Sequence, residues 1–138
     1  MIVVATMAIS ANATDYRVEK PEAWTAKDVP SAMKALYGNI TPQEGAIKLK
    51  APKVASNGGA IPVSVKTDIP AKSIAIFQDV NPEATVAVFA MQEGQVADVA
   101  LKIKMKKSGT ITVVVEGKDG KFYSKSFSLE VALGGCEG

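Results

Sequence analysis

Residues 110–133 read TITVVVEGKDGKFYSKSFSLEVAL, and this stretch decides the fold. Thr110 to Glu116 and Lys121 to Leu133 are runs rich in β-branched and aromatic residues, joined through Gly117-Lys118-Asp119-Gly120, which predicts a β-hairpin. On the second run Phe127, Leu129, Val131 and Leu133 fall on one face, while Ser126, Ser128 and Glu130 fall on the other. A period of two belongs to a strand with one dry and one wet side. Further upstream, Leu101-Lys102-Ile103-Lys104-Met105-Lys106 alternates in the same way. Thr85 to Met91 reads as a strand with Val86 and Val88 on one face and Phe89 and Met91 on the other, turning at Gln92-Glu93-Gly94. Lys72 to Val80 closes at Asn81-Pro82, Ile61-Val63-Val65 follows a turn at Asn57-Gly58-Gly59, and Ala46 to Lys50 alternates. About seven short strands with turns between them imply an all-β protein, an antiparallel β-sandwich of immunoglobulin-like type. The antibody signature is missing: no cysteine pair is available to bridge the sheets, and Trp24 precedes the strands.

Before the strands, residues 14–24 are mixed and irregular. Asp28-Val29-Pro30 opens a short helix with Asp28 as N-cap and Pro30 in the first turn. Val29, Met33, Leu36 and Tyr37 recur at helical spacing and Gly38 ends the run. This helix is expected to cover one end of the sheet core. Met1 to Ile9 are apolar and lead into Ser10-Ala11-Asn12-Ala13, a small-x-small pattern with cleavage after Ala13. Residues 1–13 therefore read as a signal-peptide remnant without a basic n-region, or else as a short N-terminal strand. The run is too short to span a bilayer. The chain divides into residues 1–13, a sandwich domain with its helix over 14–133, and a tail over 134–138.

A chain of 138 residues suits a single core. A net charge of +2, with Arg17 the single arginine, gives no basis for nucleic-acid binding. Histidine is absent, which removes Cys-His and Ser-His nucleophile pairs and most zinc, copper and non-haem iron sites. The expectation is a protein that is not an enzyme and needs no metal or cofactor.

The tail carries the distinctive chemistry. It reads Gly134-Gly135-Cys136-Glu137-Gly138, and Cys136 is the only cysteine. Glycines on its N-terminal side leave the backbone unrestricted, so the thiol is expected on a swivelling arm. From Leu133 to Cys136 the arm reaches about 10 Å at full extension. Glu137 and the terminal carboxylate of Gly138 place negative charge near the thiol, which disfavours the thiolate at rest. Activation would then come from a partner. The other candidates are weaker. Lys102, Lys104, Lys106 and Lys107 form a basic stripe that either steers acidic partners or is a solvated strand face. Asn39-Ile40-Thr41 fits a glycosylation sequon. Asp68, Asp79, Glu83, Glu93, Asp98 and Glu116 show no spacing that suggests a metal cage or an acid/base pair. Phe77, Phe89, Phe122 and Tyr123 read as sandwich core or inter-subunit packing.

Several of these segments together resemble the SoxY family, the sulfur-carrier subunits of the bacterial thiosulfate-oxidising Sox system. They are Ala51 to Gly58, Lys72 to Ile76 leading to Asn81-Pro82, Leu101 to Met105, Lys121 to Ser124, and the terminal Gly-Gly-Cys. The resemblance covers roughly residues 20–138, and the tail is its specific part. It implies a periplasmic subunit that pairs with a second β-sandwich, SoxZ, and carries sulfur covalently on Cys136, with Gly134, Gly135 and Gly138 giving the arm its freedom. It further implies transient visits by the haem-containing SoxAX, which joins thiosulfate to the cysteine, and by the hydrolase SoxB, which releases sulfate. The sulfane dehydrogenase SoxCD is a further implied visitor. The family tail typically reads Gly-Gly-Cys-Gly-Gly, and here Glu137 stands where a glycine is usual. The competing reading of the residues is an exported β-sandwich binding module whose tail cysteine makes an intermolecular disulfide.

Overall fold

The computed structural model describes residues 15–132. In chain order, helices α1 (Tyr16–Glu19), α2 (Glu22–Thr25) and α3 (Val29–Tyr37) precede the strands. These are β1 (Gln43–Glu44), β2 (Ile47–Lys50), β3 (Val54–Ala55), β4 (Ile61–Thr67), β5 (Ala71–Gln78), β6 (Thr85–Ala90), β7 (Ala97–Ile103), β8 (Gly109–Gly117) and β9 (Phe122–Val131). One sheet has the order β2-β4-β7; the larger has the order β1-β9-β8-β5-β6, with β3 also on β9. The predicted sandwich is borne out, but the strand read over residues 101–106 lies at Ala97–Ile103, and residues 104–106 belong to the loop that follows it.

The two-residue strands are the addition. Both β1 and β3 run parallel to β9, whereas the other pairings are antiparallel. Residues 43–55 thus leave the larger sheet, cross to the smaller one as β2 and return. Two residues carry no periodicity, so these contacts lie below what alternation reports. Gly45 makes the first crossing possible, because a Cβ there would sit 2.8 Å from the Tyr123 ring.

Between the sheets, Ile61, Val63 and Val65 of β4 face Ile74, Ile76, Ile111, Val113 and Val115, all of them buried. The opposite face of the larger sheet is also dry. Ala75, Phe77 and Val114 lie beneath Ala23, Ala32 and Leu36 of the helices. Three corrections follow. The helix covers a sheet face and not one end of the core, which is why β5 is buried on both sides. The stretch over residues 14–24, expected to be irregular, instead contributes the helical turns Tyr16–Glu19 and Glu22–Thr25 to that same layer. On β6, Val86 and Val88 do not share a face: an irregularity in the β5–β6 register pairs Phe77 with Thr85 but Ile76 with Ala87. Val86 therefore packs with the inter-sheet core and Val88 with the helical layer, while Phe89 and Met91 share the inter-sheet side as expected.

Helix α3 begins and ends as its sequence dictates. Asp28 Oδ1 accepts from the Ser31 N–H at 2.8 Å, and Gly38 at φ 82° terminates the helix. That hydrogen bond holds the Asp28 carboxyl below its ordinary value. A depressed folded-state pKa contributes stability above the unfolded value that is lost as pH falls through the folded one. Asp28→Ala is therefore expected to lower the melting temperature by a few degrees at neutral pH. Thermal melts should show the difference vanishing in acid. At the other end of α3, the Tyr37 hydroxyl lies 2.7 Å from Ser73 Oγ, and Ser73 donates to Glu116 Oε1 at 2.8 Å. With the serine proton committed to the carboxylate, Tyr37 is the donor, and burial pushes its pKa up so that it keeps that proton. This chain bolts the helical layer to β5 and β8.

Candidate functional site

β9 is the last described strand, and its C-terminal end is held unusually firmly. It is ten residues long and pairs with β8 from Phe122 to Leu129. Beyond Leu129 the ladder on that side has ended, because β8 starts at Gly109. Three consecutive N–H groups are nevertheless satisfied. Glu130 donates to the Lys53 carbonyl and Ala132 to the Ala55 carbonyl, each at 2.9 Å. Between them Val131 donates to Ser108 Oγ at 2.8 Å, so a side chain replaces the missing strand partner. The chain is therefore gripped from both sides up to Ala132. Phe127 and Val131 face the core side half-buried, Leu129 is buried, and Ser126, Ser128 and Glu130 are exposed, as the alternation requires.

Ser108 is itself held in place. Gln78, 1% exposed, accepts from the N–H groups of Val80 and Asn81 and donates to the Glu83 carbonyl. This fixes Asn81, whose amide donates to the Lys104 carbonyl at 2.7 Å and accepts from the Lys106 N–H at 3.0 Å. Met105, fully buried, donates its N–H to the Gly58 carbonyl at 2.8 Å. The loop that presents Ser108 is thus tied to two neighbouring turns. Ser108→Ala removes the acceptor of the Val131 N–H, a loss of about 1 kcal/mol. Amide exchange at Val131 should accelerate by about fivefold, and the melting temperature should fall by no more than a few degrees.

The residues predicted to carry the chemistry, Cys136 with Gly134, Gly135 and Gly138, lie outside the described residues, as do Leu133, Glu137 and the cleavage region over residues 1–13. The lysine stripe is divided. Lys102 belongs to β7, but that strand runs from Ala97 and ends at Ile103, so Lys104, Lys106 and Lys107 sit in the loop leading to Ser108. All four are exposed. Among the described residues no cluster of three metal-ligating side chains occurs, and no helix is long and apolar enough to cross a membrane. Phe77 is core, while Phe89, Phe122 and Tyr123 are half-buried against it. Sequence reasoning missed the clamp of Lys53, Ala55 and Ser108. The only signal was the presence of Ala51 to Gly58 and Asn81-Pro82 among the family-like segments.

Residues 33–136 match the family described as sulfur oxidation protein SoxY. The chain belongs to the SoxY family. The structure of the sulfur carrier protein SoxY from Chlorobium limicola f thiosulfatophilum is 36% identical, with a TM-score of 0.67 over 74% of this chain and 94% of that one. A superoxide reductase (neelaredoxin) from Ignicoccus hospitalis reaches a TM-score of 0.55 at 18% identity, covering 64% of this chain and 82% of that one. A putative superoxide reductase from Thermotoga maritima reaches 0.52 at 14% identity, covering 91% and 98%. At those identities the reductases share the fold alone. No curated protein matches the chain significantly. The SoxY match begins within α3 and extends through the Gly-Gly-Cys segment, so it takes in the sandwich, the clamped end of β9 and the cysteine.

Proposed function

We propose that this protein is a periplasmic sulfur carrier of the Sox system, holding thiosulfate-derived sulfur covalently on Cys136. The observation that carries this reading is the family match running through residue 136 on a chain whose last described strand is clamped at its end. A firm root and a tail with Gly134 and Gly135 next to the thiol suit delivery into another protein's active site. Loading joins the Cys136 sulfur to the sulfane sulfur of thiosulfate. One S–S bond forms, the thiol proton is lost, and two electrons pass to the haem of the loading enzyme. Hydrolysis then breaks the bond between sulfane and sulfonate sulfur. Water supplies the oxygen of the departing sulfate, and a persulfide stays on Cys136. The carrier supplies the sulfur atom and its placement; SoxAX and SoxB supply the catalysis. SoxCD would oxidise the persulfide further, and SoxZ would be the standing partner.

Mass spectrometry of the tryptic peptide Ser126–Gly138 tests this after incubation of the complex with thiosulfate and the loading enzyme. The expected spectrum shows a thiosulfonate adduct, converted by the hydrolase to one additional sulfur atom. A peptide that stays unmodified under both conditions contradicts the proposal.

A further inference from the structure

The two sheets are covered unequally. Helices lie over the outer face of the larger sheet, whereas the outer face of the three-stranded sheet has no cover among the described residues. That face presents Lys48, Lys50, Lys66 and Lys102 against a single acid, Asp98. Among the described residues none of these lysines forms an ion pair. A shallow groove of about 860 Å³ crosses the face, with Pro62, Ser64 and Ala100 as its floor and Lys50 and Lys102 on its rim. Ala51 and Pro52 extend it toward one end. A mostly apolar floor with a one-signed rim is the arrangement of a docking surface.

Its location gives it a purpose. The wall ending in Pro52 runs directly into Lys53 and Ala55, the carbonyls that hold Glu130 and Ala132. The wall ending in Lys102 runs into the loop that presents Ser108 to Val131. Both sides of the groove thus lead to the clamp at the root of the arm. Cys136 is four residues past Ala132, so covalent geometry keeps it within about 14 Å of that root.

We propose that this lysine-rimmed groove is the docking site for the enzymes that visit the arm, and that it receives an acidic protein surface carrying small apolar side chains at its centre. The inference rests on the carrier reading, and it adds where the visitor sits. Charge complementarity brings the acidic surface to the groove, next to the end of the strand from which the cysteine-bearing tail continues.

The test separates docking from sulfur chemistry by using the Cys136→Ser complex, which cannot be loaded. Its binding to the purified thiosulfate-loading enzyme is followed by stopped-flow and titration across a range of salt. Reversing the rim with K50E/K102E is expected to lower the association rate at low salt by about tenfold and to flatten its salt dependence. The control K20E/K27E makes the same charge change on the helical layer and is expected to have a much smaller effect. Equal effects of the two double variants, or none from K50E/K102E, overturn the proposal. So does loss of the standing partner subunit from K50E/K102E, which would assign the groove to that subunit. None of these outcomes alters the mass-spectrometric test of Cys136 itself.

Discussion

Cys136→Ser is expected to reduce thiosulfate turnover by the reconstituted pathway to background while leaving the fold as it is. The proposed chemistry runs through S–S bonds to this one sulfur, and a serine oxygen forms no persulfide. The chain has no second cysteine to substitute for it. No rescue through another nucleophile is expected either. Histidine is absent, and the buried hydroxyl of Ser73 is committed to Glu116 and Tyr37. Stability should change by less than about 0.5 kcal/mol, as for substitutions remote from a core. The last described strand is tied down as far as Ala132, and the two described cores are built from residues before it. Turnover by the reconstituted pathway and thermal melts of the same preparation check both halves. A variant that keeps more than a small fraction of turnover contradicts the carrier role, and leaves the disulfide-forming binding module as the better reading.

Phe77→Ala is the substitution expected to cost the most stability. Phe77 is fully buried, on the side of β5 that faces the helices, together with Ala75, Val114, Leu36 and Ala32. Removing a buried phenylalanine costs about 3–5 kcal/mol, from lost transfer energy and the cavity left behind. Its neighbours Ala32, Ala75 and Ala84 are too small to close that cavity. For a domain of this size the melting temperature should fall by about 10–15 °C, and a loss of that order is a large fraction of ordinary domain stability. Calorimetry of Phe77→Ala beside Phe89→Ala distinguishes the layers, since Phe89 is only half-buried and should cost markedly less. A loss under about 1 kcal/mol at Phe77 would contradict the three-layer packing.

The long strands were legible because their burial alternates. β4 and β9 each have one side on the core, and a period of two is visible in their residues. β5 is different: it is buried on both sides, so Lys72 to Val80 announces a strand without saying what lies on its second face. That second face is the one α3 covers, and an unbroken run of buried residues does not announce its cover. The bulge at Val86 escaped notice because alternation counts residues, and a bulge adds one without altering composition. The clamp was least visible of all. Lys53 and Ala55 contribute only backbone carbonyls, which any residue carries, and Ser108 is an ordinary loop serine until its partner is known. The groove likewise comes from register, which places Lys50 level with Ser64 and Ala100, and Pro62 level with Lys102. The expectation for the tail, in contrast, comes from one cysteine beside glycines in a chain without histidine, together with the resemblance to the SoxY family.

The most direct measurement follows thiosulfate labelled at its sulfane sulfur through a single turnover of the reconstituted system, quenched at successive times. The account predicts that label appears on the peptide containing Cys136 before sulfate is released, and that it forms and decays no more slowly than the pathway turns over. Sulfate released at the full rate with no label on that peptide would contradict it.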